Sequence, residues 1–281
     1  MVAHRALQRT LFRMQLDSSF AQAVLARDVA AEGSTELSER ELSWLHALDP
    51  ACISADRAGA RRAQFLRNVG SELAMTLRLT GMGLLDDFTR SSELHAAVCD
   101  GSPLPLALAR HLERTLAASE PAARAVLELE HGMARARREL RTIQEPSGDQ
   151  IVLAPWARLI SVPAGTLALA EALRLRDPDS AAHTPVPRLA DEAETLLITA
   201  EREPAPFQLR AVVVERLADA PAHFLQRAER PLSRGERAAY AREVDAEPEE
   251  LDALVAELLH EGVLLDCTGW LHASGGATAP P

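Results

Sequence analysis

The groups with which this 281-residue chain could hold a metal or move protons are nine histidines, three cysteines and 41 carboxylates. Their spacing assembles none of the familiar devices. No histidines stand at His-x-x-x-His or His-x-His intervals, and none pairs with a carboxylate at zinc-site spacing. His111 and Glu113 are two apart and would leave a helix on different sides, whereas His131 and Glu128 are three apart and fit a surface hydrogen bond. His260 closes an expected helix, where the dipole favours an imidazolium, and Asp86-Asp87 suits a helix start. Cys52, Cys99 and Cys267 lie far apart, with no neighbouring histidine to stabilise a thiolate. All 30 basic residues are arginine, so neither a Schiff-base lysine nor a P-loop lysine exists. Gly-rich phosphate loops and nucleophile elbows are also missing. The expectation is a chain without catalytic residues, metal or cofactor of its own.

Charge narrows the partners. The formal net charge is -11, with 18 Arg against 20 acids in residues 1–150 and 12 against 21 in the remainder. That sign opposes phosphate contacts, so nucleic acid is disfavoured. Hydrophobic residues make up 47% and aromatics only 4%, which predicts a core of Ala, Leu and Val. No apolar signal core or charge-free span is visible, and the cysteines form no disulfide framework. These features predict a soluble cytoplasmic protein that does not enter a membrane.

The elements that must position any site fall into an α+β pattern. A helical domain is expected over 1–145, a linking strand–helix segment over 146–190, a winged-helix-like module over 191–273 and a disordered tail over 274–281. In the first, Leu7, Leu11 and Met14, then Phe20, Val24 and Leu25, follow helical spacing. Ser38 with Glu41 forms a capping-box signal, and Asp49-Pro50 ends that helix. A helix from Asp56 carries Phe65, Val69, Leu73 and Leu77 and breaks at Thr80–Gly83. Helices follow at about 84–99 and 103–117. Another runs from Pro121 to about Ile143, burying Val126, Leu129, Met133 and Leu140. Arg135, Arg137, Arg138 and Arg141 form either a solvated helix end or a site for an acidic partner.

Pro146–Asp149 is a turn and the expected boundary. Beyond it, Ile151–Leu153 and Ala157–Val162 read as strands flanking Pro155-Trp156, and a helix runs from Thr166 to about Leu175. A loop is expected over 177–187. Thr195–Thr199 and Phe207–Val214 are strands, the second becoming helix near Glu215. Ser233 and Glu236 give a second capping box. Pro248 leads a third helix with Leu251, Leu254, Val255, Leu258 and Leu259 on one side, and Gly262 reverses the chain. Val263–Asp266 with Trp270–His272 would then close a small hairpin. Strands, three helices and a hairpin make a winged-helix arrangement. Its third helix carries Glu247, Glu249, Glu250, Asp252 and Glu257, which would repel DNA. An extended peptide on a sheet edge suits it better.

Several stretches resemble the partner proteins of multinuclear non-haem iron-dependent oxidative enzymes, which modify ribosomally made peptides. They are Leu37–Leu45 with Arg61–Leu66, Leu153–Arg158 with Pro163–Thr166, and Val255–Leu264. The likeness is to the members acting in 3-thiaglutamate and, more distantly, methanobactin biosynthesis, and it spans nearly the whole chain. It implies a helical N-terminal portion and a C-terminal peptide recognition element that binds a precursor's leader. The partner would be a TIM-barrel enzyme holding iron, and the pair would excise a β-carbon from a C-terminal cysteine. On this basis leader contacts are expected at Thr195, Leu197, Thr199, Leu251, Val255 and Trp270, and enzyme contacts at Trp156, Arg158 and Arg138. The acidic third helix implies a basic leader or one bound on the other side. A winged-helix transcriptional regulator and a stand-alone enzyme with an unrecognised site remain as alternatives.

Overall fold

In the computed structural model, which describes residues 5–26, 37–48, 64–175, 187–202 and 209–274, Asp17 divides the first expected helix in two. Its carboxylate accepts the amides of Ser19 and Phe20, both at 3.0 Å, which ends α1 (Arg5–Leu16) and caps α2 (Ser18–Leu25). The Ser38 capping box is formed and starts α3 (Glu39–His46). The residues around Asp49-Pro50, Cys52 and Asp56, and most of the expected loop at 177–187, lie outside the described residues.

Residues 64–70 form α4, followed by a single 3-10 turn and α5 (Ala74–Thr80). Gly81, at φ 88°, ends α5 where a side chain would be strained. The expected helix over 84–99 is two helices, α6 (Gly83–Phe88) and α7 (Ser92–Asp100), because the Ser91 hydroxyl accepts the Leu94 amide and begins a new one. α8 (Leu104–Thr115) and α9 (Pro121–Arg138) follow. α9 stops short of Ile143. The Arg141 amide donates to the Pro155 carbonyl at 2.8 Å, and Leu140, expected to be buried, is 52% exposed.

The described residues are predominantly α-helical, with two small open sheets among them, both in the C-terminal half. It divides into two compact units, Met1–Glu130 and His131–Pro281. Among its described residues the first unit has two apolar clusters. Leu7, Met14, Phe20, Val24 and Leu45 form one, and Val69, Leu73, Leu77, Leu85, Phe88 and Leu112 belong to the other.

The second unit contains β1 (Val152–Leu153), β2 (Ala157–Pro163), α10 (Thr166–Leu175), β3 (Ala193–Ala200) and β4 (Val212–Arg216). Then come α11 (Asp219–Arg227), α12 (Arg234–Glu243), α13 (Pro248–His260), β5 (Leu264–Leu265) and α14 (Cys267–Ser274). The turn at Pro146–Asp149 lies within this unit, with Gly148 at φ 61°. One sheet is antiparallel in the order β2-β3-β4; the other pairs β1 with β5, and Ile151 bridges to Leu232.

Two expectations change here. Glu215 stays in β4, whose pairing continues until the Leu217 amide reaches the Thr195 carbonyl, and helix begins only at Asp219. The expected closing hairpin is replaced by α14. The Asp266 carboxylate accepts the Gly269 amide at 2.7 Å and its carbonyl accepts the Trp270 amide at 2.9 Å, a helix-capping geometry. β5 therefore pairs with β1, from before the three helices. Of the expected tail, residues 275–281 lie outside the described residues, and Ser274 ends α14.

Candidate functional site

A concavity in the second unit is built around Trp156, which joins β1 to β2. Its carbonyl accepts the Ala200 amide at 3.0 Å, and its indole Nε1 donates to the Gly262 carbonyl at 2.9 Å. Gly262 takes φ 71° as α13 ends, which turns the chain beside the ring. With both ends held, the indole presents a face, and the Arg202 guanidinium carbon lies over it, 5.3 Å from the ring centroid. The cleft above has a volume of about 670 Å³ and is walled by Thr199, Arg202, Val213, Glu261 and Asp266 among others.

Among the described residues, the sheet beside this cleft ends in β4, a strand with one edge unpaired. β3 is the middle strand, bonded to β2 on one side and β4 on the other. Bonds from the Glu201 amide to the Ala211 carbonyl, at 2.8 Å, and from the Leu217 amide to the Thr195 carbonyl, at 3.0 Å, fix the parity of β4. Its odd-numbered residues bond β3, so Val212, Val214 and Arg216 direct their amides and carbonyls outward. Among the described residues no strand pairs with that edge. Val213, on the same face as Thr199, is 57% exposed.

The expected site residues disperse. Thr199 and Trp156 meet in the cleft. Thr195 is half-buried and Leu197 buried; as members of a central strand they cannot receive an added strand through their backbone. Leu251 and Val255 are buried in the packing of α13, whereas Leu259 on the same side of the helix lines the cleft. Trp270 is half-buried on α14, and Gly269, one residue earlier, reaches the cleft wall. Trp156 and Arg158 present little surface to an enzyme, with Trp156 at 5% exposure and the Arg158 side chain at 11%. Arg158 donates to the Glu139 carbonyl at 2.7 Å. Burial, then the charge of Arg135, and lastly that of Arg141, hold its pKa below the usual arginine value against the opposing pull of Glu139.

The arginine run is largely spent within the unit. Arg135 pairs with Glu139 at 3.0 Å, Arg138 donates to the Ala134 carbonyl, and Arg141 contacts the Ala157 carbonyl and Glu229. Sequence reading missed Arg202 after β3, Val213 within β4, Glu261 at the end of α13 and Asp266 after β5, which are distant in sequence and converge only in the fold. It also missed a neighbour for Cys99: His95, four residues earlier on α7, has its Nε2 at 3.8 Å from the sulfur.

In the first unit, His111 is paired not with Glu113 but with Glu93, at 3.6 Å. Burial raises the Glu93 pKa, but its own backbone amide, Arg114 and His111 outweigh that and bring it below the ordinary glutamate value. Among the described residues, no group of three or more His, Cys, Asp or Glu is placed to hold a metal ion. No described helix is long and apolar enough to cross a membrane. No family model matches the chain, and no curated protein sequence matches it.

Proposed function

We propose that this chain is a non-catalytic partner subunit. It binds the leader of a ribosomally made precursor peptide and presents it to an iron-dependent TIM-barrel oxidative enzyme, for β-carbon excision from a C-terminal cysteine. The observation that carries the reading is the outer edge of β4. Val212-Val213-Val214 has strong strand preference and no proline or lysine to deter pairing. An extended leader can add there as a fourth strand, main-chain bonds supplying affinity and the neighbouring cleft selection. Three helices follow the sheet, as in a winged-helix recognition module, with the strand after the third helix paired to β1. Holding the precursor this way raises its effective concentration at the enzyme.

The DNA-binding alternative is weakened by α13, where Glu249, Glu250, Asp252 and Glu257 are all exposed. The decisive experiment co-expresses this chain with the product of the neighbouring gene and purifies through a tag on this chain alone. An iron-containing barrel is expected to travel with it in fixed ratio, and the pair is expected to retain the precursor. Turnover by the isolated chain, or a lone protein that retards duplex DNA, overturns the proposal.

A further inference from the structure

On the reading that a strand adds to β4, the edge itself carries side chains that select among peptides. We propose that Glu215 is the selecting residue: the added strand runs antiparallel to β4 and places an arginine or lysine opposite Glu215 and, two residues later, an apolar side chain opposite Val213.

Ladder parity singles out these two positions. The strand pairings of the unit are all antiparallel among the described residues, and that ladder is the more stable per residue. In an antiparallel addition Val212, Val214 and Arg216 exchange main-chain bonds with the new strand, because their amides and carbonyls point outward. Val213 and Glu215 then fall between those bonds. There the facing Cα atoms approach to about 4.5 Å instead of about 5.5 Å, and side chains meet most closely. Both residues lie on the sheet face of Leu197 and Thr199, and both are exposed, Val213 at 57%. A facing side chain has direct access to each.

Charge sets what each position takes. Arg216, on the opposite face, already has a carboxylate, its Nε lying 3.5 Å from an oxygen of the buried Glu194. The Glu215 side chain has no ion pair or hydrogen bond among the described residues, and across from it on β3 stands the buried Leu197. Residues 151–281 hold 12 Arg against 21 acids, which favours the approach of a cationic peptide over an anionic one. A cation opposite Glu215 completes a cross-strand ion pair, whereas a carboxylate there is repelled. Val213 asks for the reverse, since an apolar side chain facing it covers a valine otherwise left in water. In an antiparallel strand the residue facing 215 precedes the residue facing 213. The signature is therefore basic-x-apolar, read from the N-terminus of the peptide.

The test pans a displayed library of random octapeptides on the immobilised full chain and, in parallel, on its Glu215→Lys variant. Peptides recovered on the parent should share Arg or Lys followed two positions later by an apolar residue. Those recovered on Glu215→Lys should carry Asp or Glu in place of the base. A synthetic parent-selected peptide should lose about two- to fivefold in affinity against Glu215→Gln, the range of one cross-strand ion pair, and more against Glu215→Lys. That loss should shrink at high salt. Glu215 is exposed, so both variants should keep the parental unfolding curve. Equal or tighter binding to Glu215→Gln would mean that the carboxylate only guards the edge, and would overturn its selecting role. Recovered peptides with no shared basic position, or with the apolar residue ahead of the basic one, would overturn it too. If such peptides still lose binding with Val214→Pro, selection by Glu215 fails and strand addition stands. Enrichment of no peptide, or of peptides that bind Val214→Pro as well as the parent, defeats both.

Discussion

The two compact units use their buried polar groups for different ends. In the first unit buried carboxylates are turned onto protein groups, although both ring nitrogens of the buried His111 lack a hydrogen bond. Glu130, 2% exposed, accepts the amides of Met75 and Thr76 at 2.8 and 2.9 Å, and His111 lies against Glu93 and the Phe88 ring. In the second unit the buried Trp156 keeps one ring face toward a cleft, and among the described residues β4 of the neighbouring sheet has a row of backbone donors and acceptors facing out. The first arrangement stabilises a fold; the second holds recognition groups in place for an incoming chain. Substitutions that separate stability from binding test that contrast.

The largest expected effect is in the first unit. α5 begins after Leu73, which offers no capping side chain, so Glu130 from α9 supplies the first-turn acceptor and a negative charge at the positive dipole end. Glu130→Ala strands the Thr76 amide, whose residue is fully buried, and should cost about 2–3 kcal/mol. The urea midpoint followed by circular dichroism should fall accordingly. If Glu130→Ala leaves the midpoint unchanged, the polar groups of the first unit are not the stabilising contacts described.

A smaller effect is expected where α9 crosses the sheet of the second unit. A methyl on Gly132 would sit 2.7 Å from the Cδ1 of Ile198 and 3.4 Å from the Cγ2 of Ile160. The Ile198 tip can rotate aside, and alanine adds about 1 kcal/mol of helix propensity, so Gly132→Ala should be nearly neutral. Gly132→Val adds volume that cannot be relieved by one rotamer and should destabilise by about 1–3 kcal/mol. Equal thermal shifts for the two would mean that helix and sheet do not approach so closely.

What could be read from the sequence was local. Ser38 with Glu41 and Ser233 with Glu236 both form capping boxes, and Pro121 and Pro248 both open helices, because each signal acts within one turn. The site was legible only in part, since it depends on pairing between distant segments. Nothing in Thr195–Thr199 tells a central strand from an edge strand; that depends on β4 folding back after a long connection. The apolar stripe of α13 could serve a groove or a core equally well by periodicity, and the fold divides it, burying Leu251, Val255 and Leu258 and leaving Leu259 at the cleft. The Cys99–His95 spacing was open to view and went unread. Arg202, by contrast, has no motif around it and gains meaning only from the ring beneath it.

The smallest stability effect is also the sharpest test of the edge. Adjacent residues of β4 point their amides in opposite directions: Val213 toward β3, Val214 away from the sheet. Proline removes the donor in either place, but only at 213 does that donor serve the ladder. Val213→Pro should therefore cost about 1–3 kcal/mol, whereas Val214→Pro should stay within about 0.5 kcal/mol of the parent, as proline is tolerated on a free edge. On the peptide side the order inverts for a folded protein. Val214→Pro deletes a main-chain donor that an added strand requires, and its ring crowds the approach, so precursor binding should be lost while the unfolding curve barely moves. A Val214→Pro protein that still bound its peptide at parental affinity would place the ligand somewhere other than β4.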